Sequence, residues 1–228
     1  MMRRLGVLGG TFDPVHFGHL DAAAAAQSAL ALSEVLFVPA FDPPHRPIDP
    51  RATAFHRFAM VALATNTCPA YRVSDLELVR QGRSYTVDTL RGLHAEGWQP
   101  WQLFFILGAD AFEEIATWHE FPEVLDAAHF VVVARPGTTL DRALARTPAL
   151  RGRTRSAGDR SGDHGPTGVF LVETETRDVS STMIRQRVAG ERPIDHLVPP
   201  AVARYIAAHH LYQLDNDLHG SDTNNDGA

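Results

Sequence analysis

The chain holds one cysteine, Cys68, in 228 residues. That excludes an internal disulfide and a thiolate metal cluster, and leaves Cys68 as a small buried side chain. It lacks any apolar run approaching the ~20 residues needed to cross a bilayer, and Met1-Met2-Arg3-Arg4-Leu5 passes at once into a strand-like segment. A cytoplasmic protein without a membrane partner is the expectation. The glycine-rich turn at Gly9-Gly10 lacks both GxGxxG spacing and the Lys-Ser or Lys-Thr of a P-loop, so neither dinucleotide binding nor P-loop hydrolysis follows from it. Positive charge is not in excess either. The formal net charge is −6, which disfavours a nucleic-acid partner. Internal repeats and long heptad runs are absent, which excludes a solenoid and a coiled coil.

What is present is an ordinary globular composition, 44% hydrophobic and 21% charged, in a chain long enough for one substantial core. Residues 1–213 are expected to form a single domain. Residues 214–228 read as a disordered acidic tail: from Asp215 onward there are four Asp, no Lys or Arg and little apolar surface to bury. Residues 140–168, rich in Arg, Gly, Thr, Ser and Pro, read as an extended, mobile surface loop. Homo-oligomer formation is left open.

Strand and helix patterns alternate. Leu5–Leu8, Val35–Val38, Leu103–Leu107, Phe130–Ala134 and Val169–Val172 are short apolar runs, as strands buried on both faces would be. Between and after them, helical patterns cover Phe17–Leu32, about Arg51–Ala64, a segment capped by Ser84 and closed by Gly97, Ser181–Val188 and Ala201–His209. The alternation predicts an α/β fold, a Rossmann-like, doubly wound, mainly parallel sheet with helices on both faces.

The chemistry concentrates in two places. Gly9-Gly10-Thr11-Phe12-Asp13-Pro14-Val15-His16-Phe17-Gly18-His19 lies where the first strand feeds the first helix. There, free N–H groups and the positive helix end attract anions, and glycines let a phosphate approach the backbone. His16 and His19, three apart, share one face and can reach one group. The helix end disfavours protonation of either ring, and a polyphosphate reverses that preference. Two histidines without a third ligand do not make a zinc site. The second place is Ser180-Ser181-Thr182-Met183-Ile184-Arg185, where hydroxyl residues open a helix and Arg185, one turn in, opposes the helix dipole unless an anion is nearby. On residue types alone, a capped surface helix with Asp178 compensating Arg185 explains that segment equally well.

The first segment closely resembles the HxGH signature of a nucleotidyltransferase superfamily, and the second resembles its companion, SSTxIR. Between them, Pro43-Pro44-His45-Arg46, Ser84-Tyr85-Thr86-Val87-Asp88-Thr89-Leu90, Gly108-Ala109-Asp110 with Trp118, and Arg135-Pro136-Gly137 are similar to segments of the nicotinate-nucleotide adenylyltransferase family. The resemblance runs from about Leu5 to Tyr212. It implies an enzyme that joins ATP to nicotinate mononucleotide and releases pyrophosphate, with Mg2+ accompanying the ATP and no resident metal. His16, His19 and Arg185 are the implied catalytic residues. ATP is implied to lie over Gly9, Gly10, Thr11 and Phe12, with its phosphates on His16 and His19. Gly108 and Asp110 would meet a ribose, and Ser180, Ser181, Thr182 and Arg185 would meet adenine and the outer phosphates. The mononucleotide is implied to meet His45, Arg46, Ser84, Tyr85, Thr86 and Arg135, with its ring stacked on Trp118. Arg46 stands where the family often has Lys, and a forked donor replaces a point charge there.

Overall fold

A computed structural model describes residues 3–44, 50–138, 144, 146–156 and 165–213. The strands are β1 (Leu5–Gly10), β2 (Glu34–Pro39), β3 (Tyr71–Val73), β4 (Leu103–Gly108), β5 (His129–Ala134), β6 (Thr154–Arg155) and β7 (Val169–Glu173). They form one seven-stranded sheet in the order β3-β2-β1-β4-β5-β7-β6, and all six pairings are parallel. The expected mainly parallel sheet is therefore wholly parallel among the described residues.

Helices cover both faces: α1 (Phe17–Leu30), α2 (Ala54–Thr65), α3 (Leu76–Arg80), α4 (Thr86–Ala95), α5 (Ala109–Glu113), α6 (Ser181–Ala189) and α7 (Pro200–Ala208). Side-chain alternation along each strand divides the core between the faces. On one face Leu8, Phe104, Ile106, Val131 and Val133 pack with Ala23, Ala26, Met60, Ile184, Val202 and Ile206, which are contributed by α1, α2, α6 and α7. On the other, Leu5, Val7, Phe105, Leu107, Phe130 and Val132 pack with Val87, Leu90, Leu93 and Phe112 of α4 and α5. Ile106 is wholly buried at the middle of the sheet, where truncation to Ala costs about 2–5 kcal/mol. None of the described helices is long and apolar enough to cross a membrane.

From β1 the chain winds outward through β2 and β3, then returns to the other side of β1 as β4. The strand order reverses between β1 and β4, and it is outside the carboxyl ends of such a pair of strands that open α/β sheets have their ligand crevice. Gly10 and Gly108 are the last residues of those two strands.

Three local expectations change. Ser84 does not cap α4: Tyr85 is the N-cap residue, and the Ser84 hydroxyl instead accepts from the Phe41 N–H at 2.9 Å. The described part of 140–168 is more structured than a surface loop. Thr154–Arg155 pairs with Val169–Phe170, and Leu150, Thr147 and Thr167 are buried. That segment is polar because it forms the sheet edge, and Arg153 ties it down by donating to the Leu125 and Ala149 carbonyls. The elements β3, α3, α5 and β6 are too short for the sequence pattern to reveal. Residues 139–143, 145 and 157–164 of the expected loop, and the expected tail at 214–228, lie outside the described residues.

Candidate active site

The loop from β1 to α1 places both motif histidines at the crevice. His16 is the N-cap residue of α1 and His19 its third helical residue. Their rings stack with centroids 3.7 Å apart and planes at 28°. The backbone N–H of His16 donates to His19 Nδ1 at 3.2 Å. A ring nitrogen that accepts carries no hydrogen, so the neutral His19 ring carries its proton on Nε2 and is a donor there. Gly18 explains itself in this geometry. A Cβ on it would lie 3.1 Å from His16 Nδ1 and 3.2 Å from a methyl of Val179, so a side chain would push against the imidazole. Burial lowers the His16 pKa to about 4, with the Asp21 carboxylate opposing weakly. His16 is thus a neutral imidazole at physiological pH, as expected, although desolvation is the largest cause.

The two glycines ahead of the loop also have packing reasons. A Cβ on Gly10 would meet the Phe12 ring at 3.1 Å, and one on Gly9 would meet Phe105 at 3.2 Å. The Phe12 ring is buried against His19 and Phe37, which leaves its backbone, in the left-handed region at φ 52°, for any ligand.

Behind the loop lies a buried charge network that residue types did not reveal. Asp13, 1% exposed, accepts from the backbone N–H groups of Arg51 and Ala52 at 2.9 and 3.1 Å and from the Tyr212 hydroxyl at 2.8 Å. Burial and the Asp13 carboxylate push the Tyr212 pKa well above its ordinary value, so this hydroxyl remains a donor. Arg57, equally buried, donates to the carbonyls of Thr11, Ala40, Phe41 and Ala52 at 2.5–3.1 Å. It ties the loop to the end of β2 and the approach to α2.

The second motif closes on the same loop. Ser180 caps α6 by accepting from the Met183 N–H, and the Ser181 hydroxyl donates to the Pro14 carbonyl at 2.9 Å. Arg185 Nη1 donates to the Asp13 carbonyl at 2.7 Å and lies 3.7 Å from its carboxylate, while Nη2 donates to Thr182. The counter-charge to Arg185 is therefore Asp13. Asp178 instead pairs with Arg135 at 2.7 Å, across the rim from the end of β5 to the loop before α6. Asp13 faces the Arg185 guanidinium while the Arg57 guanidinium is held by neutral carbonyls, so the two arginines outnumber the one buried carboxylate and the network favours an arriving anion.

On the other side of the crevice, Pro44, Ser84, Tyr85, Thr86, Trp118 and His119 line a slot of about 50 Å³. It brings together four of the residues expected at a mononucleotide site. Trp118 is half-buried, edge-on to Phe105 and Phe130. His119, which residue types did not single out, stacks on Tyr85 with centroids 4.1 Å apart. Ser84 serves the walls of the slot. It holds Phe41 in place, and the adjoining chain bridges Asp42 to Arg83. The buried Glu77 lies behind, hydrogen-bonded to Thr89, and burial raises its pKa while Ser84 and Thr89 lower it. Gly108 and Asp110 are exposed at the end of β4 and the start of α5. His45 and Arg46 lie outside the described residues. Among the described residues no group of three or more His, Cys, Asp or Glu side chains could hold a metal ion. A larger cavity of about 690 Å³ lies away from both motifs, between the end of α6 and α7.

The Cytidylyltransferase-like family model matches residues 7–187, a span that includes both motifs. Relatives of similar length, each named "Probable nicotinate-nucleotide adenylyltransferase", come from several bacteria. That of Thermoanaerobacter sp. is 40% identical over 94% of this chain and 96% of its own. That of Roseiflexus sp. is 43% identical over 92% and 98%, and that of Symbiobacterium thermophilum 42% over 96% and 99%. Among solved structures, the Plasmodium falciparum nicotinic acid mononucleotide adenylyltransferase complexed with NaAD superposes with a TM-score of 0.67. It is 17% identical and covers 92% of this chain and 98% of its own, a likeness of fold. With the stacked histidines and the Ser-Ser-Thr helix closing on one crevice, and about 40% identity along nearly the whole of both chains, the chain belongs to the nicotinate-nucleotide adenylyltransferase family.

Proposed function

We propose that the chain transfers the adenylyl group of ATP to nicotinate mononucleotide, giving nicotinate adenine dinucleotide and pyrophosphate, a cytoplasmic step of NAD biosynthesis. The observation that carries this reading is the stacked His16–His19 pair at the start of α1, closed over by α6 through Arg185 and Ser181.

In this reading a phosphate oxygen of the mononucleotide attacks the α-phosphorus of ATP in line. The bond from that phosphorus to the bridging oxygen breaks, and pyrophosphate leaves with the electron pair. No covalent bond to the protein forms. ATP enters as its Mg2+ complex, the ion riding on the phosphates. His16 and His19 donate to phosphate oxygens as charge builds on them. Arg185 and the start of α6 hold the outer phosphates, and the buried Arg57 contributes a fixed positive charge behind the loop. Gly9, Gly10, Thr11 and the Phe12 backbone form the floor under the nucleotide. Gly108 and Asp110 take a ribose hydroxyl, and Ser180 and Thr182 flank the adenine. Across the crevice, the pyridine ring enters the slot beside Trp118, with Tyr85 and Thr86 on its edge. An electron-poor ring suits an indole face. His45, Arg46 and Arg135 meet the mononucleotide phosphate.

The test is pyrophosphate release from ATP and Mg2+ with nicotinate mononucleotide, run beside nicotinamide mononucleotide and phosphopantetheine. Preference for the nicotinate substrate supports the reading. Preference for phosphopantetheine, or no release with any acceptor, overturns it.

A further inference from the structure

We infer that Tyr212 is a positioning residue for adenylyl transfer: its hydroxyl, acting through Asp13, sets Arg185 and the histidine loop in their working geometry. The inference rests on the function proposed above.

Tyr212 lies just beyond α7, 199 residues from Asp13, yet its hydroxyl donates to Asp13 Oδ1 at 2.8 Å. Its backbone is in the left-handed region at φ 66°, as is that of His210 at φ 52°. Non-glycine residues occupy that region only where the surrounding structure holds them there. Leu211 secures the turn by donating its N–H to the Ile206 carbonyl and packing on the core. The turn therefore delivers one phenol to one buried carboxylate.

Asp13 is the junction through which that contact reaches the chemistry. Its carboxylate gathers the Arg51 and Ala52 N–H groups and faces Arg185, and its carbonyl accepts from Arg185 Nη1. The next residue, Pro14, receives the Ser181 hydroxyl, and His16 follows as the N-cap of α1. Rotation of Asp13 would shift Arg185 and the start of α1 together. Arg51 donates to Oδ2 and Ala52 to Oδ1, and Tyr212 adds a second donor to Oδ1 from the opposite end of the chain. Misplacement of a catalytic group by about 1 Å can cost ~100-fold in rate.

Tyr212→Phe removes the hydroxyl and keeps the ring. With kcat counted per ATP-binding site, it is expected to lower kcat about tenfold while leaving KM for both substrates within about twofold. Coupling supplies the readout that a purely structural role would not move. In an Arg185→Ala background, Tyr212→Phe should lower kcat by only about threefold further, because one of the two groups it positions is gone and the histidine loop alone is left. Leu93→Ala, in the core on the opposite face of the sheet, is the control for stability, expected to lower Tm with kcat per site unchanged. An unchanged kcat in Tyr212→Phe, or a full tenfold loss repeated in the Arg185→Ala background, overturns the inference and leaves the proposed function intact. A wild-type chain that releases no pyrophosphate with any acceptor overturns the function and the inference with it.

Discussion

The two sides of the crevice are built in opposite ways. On the adenylyl side, Asp13 and Arg57 are almost wholly buried, and most of their contacts join segments far apart in sequence: α2 to the loop after β1, α2 to the end of β2, α6 to that loop, and the chain beyond α7 to it. On the mononucleotide side the slot is small and lined by rings and hydroxyls, and the ion pair beside it, Arg91–Glu120, is exposed. A reaction common to many acceptors needs charge held still before the phosphates arrive, which buried networks provide. Choosing one acceptor needs a shape, which a few rings on loops provide. The difference predicts that damage on the first side lowers turnover or stability, and damage on the second changes which acceptor is used.

The largest expected effect is on turnover. His19→Ala should lower kcat by about 1,000-fold or more while weakening ATP binding by less than about tenfold, as steady-state rates and calorimetry would show. Equal losses in both would place His19 in binding alone. Next comes stability. Arg57→Met leaves four buried carbonyls without their donor, so denaturant unfolding should report a loss of about 3–5 kcal/mol. A loss below about 1 kcal/mol would mean that water replaces the guanidinium and that the adenylyl side is less closed than drawn.

The third effect depends on pH. The His16 pKa falls from 6.5 in the unfolded chain to about 4 in the fold. Between those values the unfolded chain binds a proton that the folded chain does not, so stability drops as pH falls through that window and levels off below it. The full difference is on the order of 3 kcal/mol. Comparing Tm against pH for the wild type and His16→Asn isolates it: the variant's curve should be flatter between pH 6.5 and 4. The smallest effect sharpens the other side of the comparison. Trp118→Ala should raise KM for the mononucleotide about tenfold and leave KM for ATP unchanged. A rise in both would show that the two sides are not separable.

Much of this was legible in the sequence, for physical reasons. Short uninterrupted apolar runs mark buried parallel strands, and five of the seven described strands lie where such runs predict. The stretch from Gly9 to His19 is read easily because strand, turn and helix are contiguous and each residue's role is local. Gly18, for example, is required by His16 two positions away. What was not legible is long-range. Arg57 lies on a helix where an arginine ordinarily marks the solvated face, and only the fold turns it inward onto the Thr11 and Ala40 carbonyls. Asp178 is close to Arg185 in sequence but pairs with Arg135, because α6 directs Arg185 toward Asp13. Glu77 and His119 sit in segments with no periodic signal, and their partners Thr89 and Tyr85 are supplied by α4 and the turn before it.

The hydroxyl of Tyr212 on Asp13 also bears on synthesis of the protein. The histidine loop leaves the ribosome well before the residue that clamps it, which follows 199 positions later. A nascent chain can assemble β1, β2 and α2 around Asp13 while the enzyme is still incompletely translated. The clamp on Asp13 forms only after Tyr212 emerges, so chains terminated before this tyrosine carry the signature histidines without the donor that holds their loop.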